Sequence, residues 1–499
     1  MVVDLRRGRG STTGGGSHDG VCTDRQNLHD EKHEEGMSMR KRILGQPVRR
    51  AGTSWRARGA AAALATLIGA TASTAASASS APISRRSDTS NAAKASTPTA
   101  KITVWFVTNP GPVNDSMTAL AKQFDKTHPG DQVTVDFVAN TPFKQKILLA
   151  MGANKPPALF FSWGGGILDQ YIKAGDVVSL GNPPWAGHFL PSSLGAVTYK
   201  GQLYGVPAGG TQPVFFYYNK PLFKKYGLSF PKTWPELLST VATFKKHGLV
   251  SPIALGDLSG WEGLMYLEYL TDRIGGPSVF DAVIANKPHA WGNPAIVKAL
   301  TDIQQLVRAG AFQPGYDAVD FGSETDALMY TGRAAMTLMG DWDISSLLGE
   351  DPSFVKSGEL GQAPFPSIPG GKGNAADLSG NTTTYLAIAI HITAAQKFVA
   401  EQFLEDSFTT PQFAKTEVAT GQVPVLKGSG ALLGKTSLGR YLVPIYDSVV
   451  KAPSFQYSWD QALGSQRAQP MLTNLSKVFE LTETPQQFVA TLESSSTGA

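Results

Sequence analysis

From Lys101 onward the chain switches between two periodicities, and that switching limits it to a layered α/β fold. Ile102, Val104 and Phe106 alternate across Lys101–Val107, as one face of a half-buried strand does. Met117, Leu120, Ala121 and Phe124 then recur at helical spacing until His128-Pro129-Gly130 ends the run. Val133, Val135 and Phe137 alternate again, so the order strand, helix, strand predicts a parallel α/β layer. A second helix is predicted over about 143–154 and leads into the apolar run 158–161, a buried strand ending on Ser162-Trp163-Gly164-Gly165-Gly166. In open α/β sheets ligands bind beyond the carboxyl ends of the strands. Trp163 sits at such an end.

Later segments continue the pattern. The run 214–218 is a strongly apolar strand bounded by Pro213 and Asn219. Thr233-Trp234-Pro235-Glu236 reads as a capping box with proline near the first helical position, opening a helix through Lys246. A further strand is predicted over 385–392 and a helix over 394–407, and no internal repeat is present. The 499 residues exceed what one core of roughly 100–200 residues accommodates, which predicts at least two lobes.

The N-terminal part reads differently. Residues 1–36 lack periodicity, and Met37 and Met39 are both plausible starts. Arg40, Lys41, Arg42, Arg49, Arg50, Arg56 and Arg58 then precede the apolar run 60–72 and an Ala76-Ser77-Ala78 cleavage pattern, the layout of an export signal. That run is shorter than the about 20 apolar residues of a spanning helix, so no stable membrane insertion is expected. The Ser/Thr/Ala/Pro-rich stretch 79–100 is a flexible linker. Residues 1–78 hold 12 Lys/Arg against 7 Asp/Glu, leaving 32 against 33 in the remainder of a chain whose formal charge is +4. Without a clustered basic surface there is no footprint for nucleic acid. The only cysteine is Cys22, which rules out a disulfide framework and a multi-cysteine metal site.

Sugars present vicinal hydroxyls around rings whose C–H faces are weakly apolar. A site for them needs flat aromatic platforms and planar side chains with paired hydrogen bonds. Of the nine tryptophans, Trp163, Trp261, Trp342 and Trp459 lie beside glycine or polar residues at element boundaries rather than inside apolar runs. These are the candidate ligand platforms, weighed against the alternative that each fills a core. Catalytic signatures are missing: the sequence holds no G-x-S-x-G, H-E-x-x-H or P-loop, and His128, His188, His247, His289 and His391 are scattered singly. No catalytic residue, cofactor or metal is therefore expected. Asp341 and Asp343 are the best acid pair for glycoside hydrolysis, but alternate positions of an extended segment point to opposite faces. Tyr217 and Tyr218, a possible ferric-ion pair, are separated by the same argument.

Three further blocks carry a resemblance. The first is Leu203-Tyr204-Gly205-Val206-Pro207 through Phe216-Tyr217-Tyr218-Asn219-Lys220, with Leu222-Phe223-Lys224-Lys225-Tyr226-Gly227 and Pro231-Lys232-Thr233-Trp234-Pro235-Glu236-Leu237. The others are Pro156-Pro157-Ala158-Leu159-Phe160-Phe161 with Trp163, and Gly332-Arg333-Ala334-Ala335-Met336 through Gly340-Asp341-Trp342. Together they resemble the family 1 extracellular solute-binding proteins of ABC sugar importers, from about residue 101 to the C-terminus.

The resemblance implies a two-lobed, periplasmic-binding-protein-like α/β fold of type II with the ligand cleft between the lobes, closing about a hinge. It implies a first lobe over 101–212 with 365–425 returning to it, and a second over 213–364 with 426–499 returning, with crossovers near 207–214, 364–369 and 422–426. It makes Trp163 the platform of the first lobe and Trp261, Trp342 and Trp459 those of the second. Asn109, Lys144, Gly164, Gly165, Glu262, Asp341, Asn381 and Gln461 are the binding groups it implies around them. The implied partners are a di- or oligosaccharide, with Phe160 through Gly166 most similar to xylobiose-type binders, and ABC permease subunits, with the carrier itself a monomer. An exported location follows, extracellular or at the cell surface, or periplasmic in a Gram-negative cell. One departure is that no lipid-anchor cysteine follows the signal, which leaves retention at the surface open. The alternatives are a secreted glycoside hydrolase and a same-fold carrier of a non-sugar ligand such as ferric ion.

Overall fold

The computed structural model describes residues 98–109 and 111–496. The export signal, Cys22 and nearly all of the linker lie outside the described residues. In chain order the strands are β1 (Lys101–Val107), β2 (Gln132–Val138), β3 (Leu159–Ser162), a short hairpin of β4 (Thr198–Tyr199) and β5 (Gln202–Leu203), and β6 (Val206–Pro207). They continue with β7 (Gln212–Asn219), β8 (Ser251–Ala254), β9 (Ala334–Gly340), β10 (Leu360–Ala363), β11 (Leu378–Asn381), β12 (Tyr385–Ile388) and β13 (Phe455–Tyr457).

Two main sheets result. The first has the order β2-β1-β3-β12-β6, with β1 parallel to both β2 and β3 as the strand–helix–strand pattern requires. The late strand β12 joins it antiparallel to β3. The second has the order β13-β11-β7-β9-β8, with β10 pairing along the far half of β7. Each sheet has its own apolar core. Val104, Phe106, Leu159 and Phe161 pack with Met117, Phe124 and Phe403 around the first. Phe216, Met336 and Leu338 pack with Leu237, Phe244, Leu267 and Ile303 around the second. These are two lobes with separate interiors.

The chain passes between the sheets at 208–211, between β6 and β7, and again at 382–384, between β11 and β12. The expected return at 365 is corrected by β11, which pairs with β7 and β13 in the second sheet. The crossover that the resemblance implied near 364–369 is instead part of the second lobe, where Ser367 N–H donates to Lys232 O and Ser367 O accepts from Trp234 N–H. The passages are bonded to one another and to the segment at 422–423. Thr383 Oγ1 donates to Gly209 O at 2.6 Å, Gly210 N–H to Gln422 Oε1 at 3.0 Å, and Thr211 N–H to Val423 O at 2.8 Å.

The helix Trp234–Lys246 starts as its sequence dictates: Glu236 N–H donates to Thr233 Oγ1, and Thr233 N–H donates back to Glu236 Oε2 at 3.2 Å. Thr233→Ala is expected to cost about 1 kcal/mol in denaturant unfolding. An unchanged midpoint would show that the box does not stabilise the native state.

Candidate functional site

A cavity of about 270 Å³ lies between the sheets, at the carboxyl ends of β1, β3, β9, β11 and β13 and the amino end of the antiparallel β7. Thr108 and Asn109 reach it from the end of β1, Asn140, Thr141 and Lys144 from the helix after β2, and Trp163 from the end of β3. The second lobe supplies Gln212 at the start of β7, Trp342 after β9, Asn381 at the end of β11, and Asp460 and Gln461 after β13. Trp261, Asp320 and Phe321 complete that wall.

The indoles are held in fixed poses. Trp163 meets Phe161 edge-on at 4.8 Å and Phe143 at 5.9 Å, while Lys144 Nζ lies 5.1 Å from its ring centre. Trp261 and Trp342 are 6.1 Å apart at 49°, and Phe321 meets Trp261 edge-on. The cavity thus has aromatic surfaces on both lobes, suited to the C–H faces of a ring-shaped ligand.

The polar groups fall into two sets. Some join the lobes: Thr141 Oγ1 and Ser259 Oγ lie 2.7 Å apart, and Lys144 Nζ donates to Asp460 Oδ2 at 3.4 Å; within the second lobe Ser259 donates to Asp320 Oδ1 at 2.5 Å. The Tyr457 hydroxyl donates to Trp163 O. The second set is unpartnered. The side-chain oxygens of Asn140, Asn381 and Gln461 are buried with no hydrogen-bond partner among the described residues. Buried acceptors without donors are costly, and each is a ready acceptor for a ligand hydroxyl.

Of the residues expected from sequence, Asn109, Lys144, Trp163, Trp261, Trp342, Asn381 and Gln461 line this cavity. Five are placed elsewhere. Trp459 is 0% exposed in the core of the second lobe, against Phe280 and Trp291, with its indole N–H donated to Gln456 Oε1 at 3.1 Å. Glu262 is buried behind the wall, where its Oε1 accepts from Phe321 N at 2.8 Å; it positions Phe321. Asp341 is buried, and that burial, with Glu417 nearby, holds its carboxyl well above the usual range. Gly164 and Gly165 are not on the cavity wall: Gly164 packs against Ala196 and Tyr385 of its own lobe, and Gly165 against the second lobe. Both have positive φ, and a Cβ on Gly165 would stand 2.6 Å from the Tyr457 ring of the other lobe.

Thr141, Asp320, Phe321, Gln212 and Asp460 were missed. Asp460 alone carried a signal, through its neighbour Gln461. The carboxyls that burial raises most, among them Asp257, Glu262, Glu268, Asp341, Asp343 and Glu417, lie behind the wall and none on it. A general acid for glycoside cleavage needs such a raised carboxyl at the ligand. Asp343 follows Trp342 on the helix Trp342–Glu350, not on an extended segment, and is buried beside Asp326. Tyr217 is fully buried while Tyr218 packs against Phe223 and Phe230, so the two share no site.

Residues 110–407 match the model of the family described as bacterial extracellular solute-binding protein. The chain is 28% identical over 299 residues to an uncharacterized ABC transporter extracellular-binding protein of Pyrococcus horikoshii, covering 58% of this chain and 65% of that protein. It is similar to a solved structure from work on xylan utilization by the thermophile Caldanaerobius polysaccharolyticus, with 27% identity, a TM-score of 0.73 and coverage of 79% of this chain and 99% of that one. A chitin oligosaccharide binding protein is similar at 25% identity and a TM-score of 0.71, covering 80% of this chain and 99% of that one.

Proposed function

The chain belongs to the bacterial extracellular solute-binding proteins, and from that premise we propose that it captures a short carbohydrate between its lobes for delivery to an ABC permease. The observation that carries this reading is the composition of the cavity. Trp163 faces it from one lobe and Trp261 and Trp342 from the other, with the unpartnered oxygens of Asn140, Asn381 and Gln461 among them. Indoles match the apolar ring faces, and the amide oxygens accept from hydroxyls. The volume of about 270 Å³ lies at the small end of ligand pockets, which favours one to a few sugar units over a long polymer. Within carbohydrates we favour a xylo-oligosaccharide, in keeping with the similarity to the structure from work on xylan utilization.

Export follows in this reading from the family and from the signal-like leader. Among the described residues no helix is long and apolar enough to cross a membrane. The two lobes are proposed to divide near 208–211 and 382–384. A thermal-shift panel of xylo-, cello-, malto- and chito-oligosaccharides tests the function, because a ligand that binds only the native state raises its apparent stability. A rise with at least one short oligosaccharide is expected. No rise with any sugar, together with one from ferric ion or an amino acid, overturns the reading.

A further inference from the structure

A second space adjoins the cavity. It measures about 170 Å³ and is lined by Phe143, Ile147, Phe160, Ile167 and Tyr171 of the first lobe and by Leu472 of the second. Lys144, Phe161, Trp163 and Asp460 border both spaces. The Lys144–Asp460 bridge and the Trp163 indole therefore stand between them. The bridge is a long contact of 3.4 Å between a partly exposed lysine and a buried aspartate, and Asp460 keeps hydrogen bonds from Ser458 Oγ and Gln461 Nε2 when the lysine swings away. It can yield to a ligand at small cost.

We propose that this pocket receives an aromatic ring carried on the end of the bound carbohydrate, with Lys144 and Asp460 as the door. Three observations converge on that occupant. Apolar side chains make up most of the lining, beside the polar Gln145, Ser162, Ser465 and Gln469, which favours an apolar ring over an ion. The volume matches one ring, since an apolar cavity of about 150 Å³ lined by Leu, Ile and Phe accepts benzene. Leu148 sits on the pocket's edge 57% exposed, where a ring would cover it. Continuity with the sugar cavity ties the ring to the same ligand rather than to a separate one.

The inference rests on the carbohydrate reading and is tested separately from it. Xylobiose is compared by titration calorimetry with its phenyl β-glycoside and with its O-benzoyl ester at the non-reducing end. The same comparison is made on whichever disaccharide binds if xylobiose does not. One of the two aryl probes is expected to bind at least about tenfold tighter than the free sugar, as burial of a ring's carbons predicts. Ser465 and Gln469 line only the second space and are exposed. Ser465→Phe and Gln469→Phe fill it, and either should return the ratio to about one while leaving affinity for the free sugar unchanged. A ratio near one for both probes in the native protein overturns the inference while the carbohydrate reading stands, as does a gain that survives both substitutions. Absence of binding by every carbohydrate overturns the carbohydrate reading and the inference with it.

Discussion

Trp342→Ala is expected to weaken carbohydrate binding by about 30- to 150-fold while the ligand-free protein keeps nearly its native melting temperature. Trp342 opens the helix Trp342–Glu350 and lies on the cavity wall beside Trp261. It is only partly buried, so truncation opens no large internal void, and the cost to the fold stays small. The ligand, by contrast, loses most of one aromatic face. Burying that face against a sugar ring is worth about 2–3 kcal/mol, which converts to the stated factor. Titration calorimetry with a thermal melt on the same sample separates the two effects. Unchanged affinity, or a collapse of the melting temperature, would assign Trp342 to packing instead.

The second large effect concerns pH. Burial pushes Asp257 and Glu268 up to about 7 and Glu417 up to about 8, all inside the second lobe or beside the passages between lobes. Glu262, Asp341 and the paired Asp326 and Asp343 are raised for the same first reason. A carboxyl raised on folding is held protonated by the native state at a pH where the unfolded chain has already lost its proton. The stabilisation is therefore fully present below the unfolded value of about 4 and is lost as pH rises through 7 to 8. Between the unfolded value and the raised folded one, the native state must either hold the proton or bury the charge, so each such group lowers stability as pH rises across that window. Melting temperature should be highest near pH 5 and fall by several degrees by pH 8, and Glu417→Gln should flatten the upper part of the fall. A melting temperature that rises over this range would contradict it.

The sequence made some elements legible because they are local. The alternation in β1 and β2 and the capping box at Thr233 follow from neighbouring residues alone, and the structure contains all three. Trp163, Trp261 and Trp342 could be picked out because a tryptophan at a polar element boundary is unlike one in an apolar run. The same argument failed for Trp459. Tyr457-Ser458-Trp459-Asp460-Gln461 is polar as a string, but the short helix Trp459–Ala462 turns the indole into the core and presents Asp460 and Gln461 to the cavity. Composition says which residues are near, while the rotation of one helical turn decides which face they share. Thr141 and Asp320 were illegible for another reason. They are ordinary polar residues far apart in the chain, and only the approach of the two lobes brings Thr141 to Ser259 and Asp320.

A structure of the mature protein with a bound oligosaccharide from the panel tests the central claim most directly. The account predicts one ligand in the cavity, with sugar rings against Trp163 from the first lobe and against Trp261 or Trp342 from the second, and with hydroxyls donated to Asn381 and Gln461. A sugar bound elsewhere, with these indoles and amides untouched, would contradict it.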